Sequence, residues 1–226
     1  MNGMNAMRRI GDGELPFRDR RHAGAVLAGR LAHYRGRPSL LVLALPRGGV
    51  PVAFEVAGSL QAPLDVFVVR KLGYPGHEEY AMGAIASGGV RVMNRLDGLP
   101  VSEAEIERVA AREQEELLRR ERLYRGDAPP ADLAGRTVIV VDDGLATGAT
   151  MRAAATAIRQ QRPARLCVAV PVGARDSCEA MRDVCDEVVC AATPEPFTAV
   201  GLWYRDFPQT SDDEVRELLQ RARATH

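Results

Sequence analysis

The chain has 226 residues, of which 46% are hydrophobic, and its 30 basic residues are balanced by 30 acidic ones. This length and apolar content allow one full hydrophobic core, so we expect a single domain over residues 1–226. A formal net charge of zero argues against nucleic-acid or lipid-surface binding, and no apolar stretch reaches the ~20 residues of a membrane span, so the sequence predicts a cytoplasmic protein.

The first part of the chain alternates helices and strands. Apolar residues at helical spacing predict an outer helix over Arg18 to Tyr34. Ser39 to Leu45 is an apolar strand, and Pro51 is expected to open a helix that runs to about Leu60. Leu64 to Arg70 is predicted as the next strand.

A hairpin and a long charged helix follow. Ala81 to Met93, interrupted by Gly88-Gly89, has the pattern of a hairpin. The capping box Ser102-x-x-Glu105 opens a helix that is dense in Glu and Arg, within a helical insertion predicted over residues 95–130. A solvated or subunit-facing helix explains this composition better than a nucleic-acid-binding one.

The second part of the chain repeats short strands and helices. This alternation predicts an α/β fold with a doubly wound, mostly parallel sheet and right-handed crossovers. The segments are Val138 to Val141, Met151 to Gln160, Leu166 to Val170, Asp176 to Val184 and Glu187 to Ala191.

The turn between Val138 to Val141 and the next helix carries the clearest chemistry. Backbone amides and hydroxyls of Thr147 to Thr150 suit a phosphate at the positive end of that helix. Asp142 and Asp143 offer oxygen acceptors that suit ribose hydroxyls or a hydrated Mg²⁺. An ordinary strand, turn and N-cap is the alternative, whereas the chain contains no P-loop or dinucleotide-binding glycine motif beside a strand.

This segment resembles the phosphoribosyl-pyrophosphate (PRPP) signature of the type I phosphoribosyltransferases, in particular the group of predicted phosphoribosyltransferases whose acceptor is unassigned. The resemblance implies that Asp142 and Asp143 hold the ribose hydroxyls and place Mg²⁺, mainly through water. It also implies a loop that holds the 5′-phosphate, made of Gly144, Leu145, Ala146, Thr147, Gly148, Ala149 and Thr150.

Two other turns are similar to family motifs. Leu45 to Pro51 resembles the turn that binds pyrophosphate after the first strand, and Val69-Arg70-Lys71 resembles the Arg-Lys pair of the adenine and orotate branches, where in some members the lysine comes from the neighbouring subunit. Lys71 is the only lysine of the chain. The resemblance implies a homodimer and a pyrophosphate site formed by Arg47, Gly48, Gly49, Arg70 and Lys71.

The resemblance also implies a lid and an acceptor site. The lid corresponds to Leu72 to Met93 and includes Glu78, Glu79 and Tyr80. The acceptor is expected under a C-terminal hood over residues 193–210, the densest aromatic segment. The expected acceptor-binding residues are Phe197, Trp203 and Tyr204, although each ring could equally serve to pack the hood.

Together these features predict an Mg²⁺-dependent phosphoribosyltransferase of nucleotide metabolism. It would move the 5-phosphoribosyl group from PRPP to a nitrogenous, nucleobase-like acceptor and release pyrophosphate, with Asp142, Asp143, Lys71 and Arg47 as catalytic residues. The alternative is a PRPP-binding regulatory protein of the same fold without transferase activity. Such regulators generally need a basic face or an added DNA-binding domain, and the chain shows neither.

Overall fold

The computed structural model describes residues 9–10, 13–93 and 101–225. Its strands are β1 (Arg9–Ile10), β2 (Gly13–Glu14), β3 (Leu40–Ala44), β4 (Leu64–Val66), β5 (Val69–Tyr74), β6 (His77–Ala86), β7 (Val90–Met93), β8 (Thr137–Val141), β9 (Arg165–Val172) and β10 (Glu187–Ala192). Its α-helices are α1 (Arg20–Arg30), α2 (Gly49–Leu60), α3 (Glu103–Arg125), α4 (Ala149–Gln160), α5 (Arg175–Ala180) and α6 (Asp212–Arg223).

A five-stranded, fully parallel sheet forms the centre, in the order β10-β9-β8-β3-β4. Successive residues of β8 point to opposite faces, so Val138 and Val140 pack with α4 while Ile139 and Val141 pack with α1, α2 and α6. A β-branched run suits a strand that is covered on both faces. The predicted doubly wound α/β fold is therefore confirmed.

The strand register brings two turns to the same edge of this sheet. Leu40 pairs with Thr137 and Ala44 with Val141, and the amide of Leu45 donates to the Val141 carbonyl over 2.9 Å. Both β3 and β8 consequently end at one level. The turns that follow them leave the sheet side by side.

The prediction of one strand over Leu64 to Arg70 is wrong. The segment contains β4 and the start of β5, and these two strands belong to different sheets. Only β4 belongs to the central sheet, whereas β5 pairs with β6 and β7 in an antiparallel sheet of order β5-β6-β7, which we call the flap sheet. The chain changes sheets at Phe67, whose amide donates to Ala44, and at Val68, whose amide donates to the Ser87 hydroxyl. The hairpin predicted over Ala81 to Met93 is confirmed by the pairing of β6 with β7.

Helix α3 begins and ends as its sequence predicts. Ser102 and Glu105 form both bonds of the capping box, and Gly126, with φ of 66°, follows the last turn. The prediction of a solvated or subunit-facing helix is wrong for one face, because Ala110 and Leu117 are fully buried within the same chain. That face packs on β5, β6 and α6. Residues 95–100 of the predicted insertion lie outside the described residues.

Candidate functional site

Two adjacent carboxylates end β8. The Asp142 carboxylate accepts a hydrogen bond from the Asp143 amide over 2.9 Å, and the Asp143 carboxylate accepts one from Arg20 Nε over 2.8 Å. Burial and the neighbouring Asp143 charge raise the pKa of Asp142 well above its ordinary value of 3.8. Burial also raises the pKa of Asp143, although Arg20 opposes this effect. A pair of carboxylates withdrawn from water in this way is stabilised by donors or cations that approach it.

The glycine turn after β3 lies directly on this acidic pair. A Cβ atom at Gly48 would lie 2.1 Å from Asp143 Oδ2, and one at Gly49 would lie 2.8 Å from the Val141 carbonyl oxygen. Only glycine therefore permits the contact. The prediction that Pro51 opens the next helix is corrected, because α2 already begins at Gly49.

Arg47 precedes these glycines and is half-buried, and the Pro46–Arg47 peptide bond is cis. No hydrogen bond or ion pair joins its guanidinium to another described residue. The turn thus places two close backbone segments beside the carboxylates, whereas the positive charge of Arg47 acts on Tyr124 of α3, whose pKa it lowers against the larger effect of burial.

The loop between β8 and α4 presents free backbone amides. Leu145 fixes its base, since its amide donates to the Val172 carbonyl and its own carbonyl accepts from Ala174, each over 2.9 Å. Beyond that anchor, the amides of residues 147–150 donate to no other described residue. Gly148, with φ of 76°, caps α4, which begins at Ala149 rather than at the predicted Met151. Four free donors at the positive end of a 12-residue helix suit a phosphate group.

Lys71 lies across a cavity from this loop. The cavity has a volume of about 410 Å³, and its lining includes Lys71, Thr147, Gly148 and Ala149. Adjacent side chains of a strand point to opposite faces, and Arg70 accordingly points to α3, where Nε and Nη2 donate to Glu113 Oε2 over 2.9 and 2.7 Å. The structure therefore brings Lys71 to the loop of residues 144–150, the predicted phosphate loop, and does not bring Arg70 there.

The predicted lid residues lie on β6. The structure describes the backbone of Glu78 and Glu79 but not their side chains, and Tyr80 is 65% exposed. Gly76, with φ of 79°, lies between β5 and β6. Closure of this hairpin over a ligand stays a prediction.

The aromatic side chains of the hood pack largely on one another. Tyr204 is buried between Phe17 and Phe207, with ring centroids 5.6 and 4.8 Å away, and its hydroxyl donates to the Asp143 carbonyl over 2.5 Å. Burial, followed by the nearby Asp143 charge, raises the pKa of Tyr204. Tyr204 thus holds the hood to the acidic turn and offers no open face to an acceptor.

Phe197 and Trp203 are the partly exposed rings of the predicted acceptor set. They stack on each other with centroids 6.3 Å apart and an interplanar angle of 22°. The Trp203 indole nitrogen is buried without a hydrogen-bond partner among the described residues. These two rings remain candidates for contact with an acceptor.

Sequence reasoning missed the contribution of the segment before α1. The Phe17 amide donates to the Trp203 carbonyl and the Phe17 carbonyl accepts from Arg205, each over 2.8 Å, so the hood contains chain from both ends of the described region. Arg20 extends from this segment to Asp143, which is 123 positions away. No local pattern signals a contact over that separation.

The donor chemistry of the acidic pair fits a hydrated Mg²⁺. The described residues contain no group of three or more His, Cys, Asp or Glu side chains arranged to hold a metal. Mg²⁺ commonly keeps several waters and binds one or two carboxylates together with the phosphates of a substrate. Asp142 and Asp143 provide the oxygen atoms for that mode.

Comparisons with known proteins agree on the family. The model of the phosphoribosyl transferase domain matches residues 21–201. A Mycobacterium tuberculosis (strain H37Rv) protein that bears the provisional name phosphoribosyl transferase is 50% identical over 208 residues, which are 91% of this chain and 47% of that protein. The chain thus spans about half the length of the curated relatives it matches.

A solved structure and a more distant relative are also similar. The crystal structure of TT1426 from Thermus thermophilus has 45% identity and a TM-score of 0.81, with coverage of 91% of this chain and 98% of that one. The protein named bifunctional protein PyrR from Chloroflexus aurantiacus is 36% identical over 104 residues, or 42% of this chain and 57% of its own length. Within the described residues, no helix is long and apolar enough to cross a membrane.

Proposed function

The chain belongs to the phosphoribosyltransferase family, and we propose that it transfers the 5-phosphoribosyl group of PRPP to a nitrogenous, nucleobase-like acceptor with release of pyrophosphate. One observation carries this proposal: the glycine turn, the acidic pair and the loop of free amides meet at one edge of the sheet. Ligands of open α/β sheets bind at this edge.

The loop and the acidic pair would bind the two ends of the phosphoribosyl group. The free amides of residues 147–150, with the hydroxyls of Thr147 and Thr150, donate to the 5′-phosphate. Asp142 and Asp143 accept hydrogen bonds from the ribose hydroxyls, which replace the water that burial has removed from these carboxylates.

The leaving pyrophosphate would lie between the glycine turn and the flap sheet. Its negative charge grows as the bond to the sugar breaks, and Arg47 of the glycine turn and Lys71 of the flap sheet would supply positive charge to it. A Mg²⁺ ion held by Asp142 and Asp143 through water would add positive charge at the phosphate oxygens.

The transfer requires protection from water. The transfer passes through a cationic, oxocarbenium-like sugar that water would trap, and Asp142 and Asp143 would hold the ribose near that developing positive charge. The β5–β6 hairpin carries Lys71 and borders the cavity, so its closure would exclude solvent while the acceptor approaches. Phe197 and Trp203 would contact a planar acceptor on the hood side.

A panel of candidate nitrogenous bases incubated with labelled PRPP and Mg²⁺ tests this proposal. We expect one base to raise pyrophosphate release above the slow hydrolysis of PRPP. Binding of PRPP without stimulation by any base would favour the PRPP-binding regulator instead. Absence of PRPP binding would contradict both.

A further inference from the structure

Arg20 joins three parts of the molecule at the acidic pair. It is the first residue of α1, and its side chain is only 11% exposed. Its Nε donates to Asp143 Oδ2 over 2.8 Å, and its Nη1 donates to the Pro208 carbonyl over 2.7 Å. The guanidinium also stacks on the Phe207 ring, 3.8 Å from the centroid. A largely covered guanidinium with directed contacts to both the acidic turn and the hood is well placed to fix their relative position.

We infer that Arg20 is a positioning residue of the ribose site, which holds the Asp143 carboxylate in place and links it to the acceptor hood. This inference rests on the proposed function, since it assigns the ribose to Asp142 and Asp143. It adds a residue that lies outside the PRPP motif.

The geometry around Asp143 explains why such a residue is needed. Asp143 Oδ2 lies against the Cα of Gly48 on one side and accepts from Arg20 on the other, so the carboxylate is fixed between backbone and guanidinium. The Asp143 carbonyl is held separately by Tyr204. Without Arg20, the Asp143 carboxylate would lose the cation beside it and would be free to rotate away from the ribose.

The same geometry predicts that the effect of Arg20 is selective for ligands that contain the sugar. The Arg20 side chain contacts Asp143, Pro208 and Phe207. None of these residues is part of the glycine turn or of the predicted phosphate loop, and none is Lys71. Pyrophosphate without Mg²⁺ has neither a ribose nor a metal ion for Asp143 to hold, so it should bind independently of Arg20. A general disturbance of the fold would instead weaken both ligands.

Calorimetric titration with Mg²⁺–PRPP, and with pyrophosphate in the absence of Mg²⁺, tests the inference. For Arg20→Gln we expect PRPP affinity to fall at least about tenfold, in the range usual for residues that orient a ligand-binding group, while pyrophosphate affinity stays within about twofold. Arg21→Gln is the matched control. Arg21 is the next residue of α1, is 48% exposed and reaches Glu55 only at 3.9 Å, so its replacement should change neither affinity.

Arg20→Lys separates charge from geometry. Lysine keeps the positive charge but has a single side-chain nitrogen. It cannot donate to both the Asp143 carboxylate and the Pro208 carbonyl while stacking on Phe207, as the planar guanidinium does. We expect an affinity for PRPP between those of the wild type and Arg20→Gln. If Arg20→Gln fails to fold by circular dichroism, Arg20→Lys decides, and PRPP affinity within twofold of wild type would then overturn the inference.

The outcomes separate this inference from the proposed function. Wild-type PRPP affinity in a folded Arg20→Gln protein, or equal losses for PRPP and pyrophosphate, would overturn the role of Arg20 and leave the proposed function standing. Failure of the unmodified protein to bind PRPP would overturn the proposed function and this inference with it.

Discussion

At the scale of single residues, the candidate site requires two glycines after β3, because a Cβ atom at either position would overlap the end of β8 or the acidic pair. Gly48 leaves the space that the Asp143 carboxylate occupies, and Gly49 does the same for the end of β8. Because β3 and β8 are neighbours, a side chain at either glycine would meet the acidic pair before it met any ligand.

Gly48→Ala should weaken PRPP binding without unfolding the protein. Its Cβ would lie 2.1 Å from Asp143 Oδ2, so either the carboxylate or the turn must move. We expect an affinity loss of roughly tenfold or more, equivalent to about 1.4 kcal/mol, in calorimetry. Gly58→Ala is the control, since Gly58 lies in α2 with no atom within 4 Å of a new Cβ. It should keep PRPP affinity and raise the free energy of unfolding by about 0.5–1 kcal/mol. Unchanged affinity in Gly48→Ala would contradict the packed geometry of the turn.

Lys71 permits a labelling experiment that few proteins allow. As the only lysine, it is the single side chain that an amine-directed reagent modifies, apart from the N-terminal amine. Saturating Mg²⁺–PRPP should protect Lys71 several-fold, because the cavity it lines also contains the phosphate loop. The Lys71→Ala protein reports the labelling of the N-terminal amine alone. Equal labelling of Lys71 with and without PRPP would place it outside the site.

At the scale of secondary-structure elements, the flap sheet is held by α3. Arg70 on β5 bonds to Glu113 on α3, with 29% and 10% of the two side chains exposed. Arg91 on β7 bonds to Glu107 on the same helix, but these side chains are 40% and 58% exposed. The first pair is therefore the stronger connection, because solvent screens exposed ion pairs.

A double-mutant cycle tests whether Arg70 acts through α3. For Arg70→Gln and Glu113→Gln we expect a coupling of about 1–2 kcal/mol in the free energy of unfolding. The cycle of Arg91→Gln and Glu107→Gln should give less than about 0.5 kcal/mol. If Arg70→Gln lowers the affinity for pyrophosphate and Glu113→Gln does not, Arg70 binds pyrophosphate directly, as the sequence predicts.

The same elements show which features a sequence can reveal. The strand, acidic pair and phosphate loop at residues 138–150 are contiguous, so their pattern predicted both the structure and its place at the sheet edge. The change of sheet at Phe67 and Val68 was not predictable, because the apolar run continues through it and the partners, Ala44 and Ser87, are distant in sequence. Arg20 was missed for the same reason. Local periodicity records the burial of a segment but not the identity of its partner.

At the scale of the whole molecule, a chain of zero net charge places two adjacent carboxyl groups, Asp142 and Asp143, at the partly buried end of β8. The pKa values of Asp142 and Asp143 are raised mainly by burial. An acid with a raised folded-state pKa stabilises the fold fully below its unfolded pKa, and this contribution is lost as the pH rises through the folded value. The ligand-free protein should therefore lose stability from this pair as the pH rises above about 4.

Asp142→Asn should accordingly stabilise the ligand-free protein at pH 8 and have little effect near pH 4, since the amide needs no proton to be neutral. Each 1 kcal/mol gained would raise the melting temperature by roughly 2–4 °C in a domain of this size. Asp127→Asn, at an exposed position after α3, is the control and should show no such dependence on pH. A lower melting temperature for Asp142→Asn at pH 8 would show that the carboxylate stabilises the fold.

The most direct test of the PRPP site is calorimetric titration of Mg²⁺–PRPP into the wild type and into the Asp142→Asn, Asp143→Asn double variant. Both proteins should be folded by circular dichroism, and the wild type should bind. Loss of charged contacts to a bound ligand typically removes ~2–5 kcal/mol, so we predict that the double variant shows no measurable binding under conditions that saturate the wild type. PRPP affinity in the double variant equal to that of the wild type would contradict the assignment of the site.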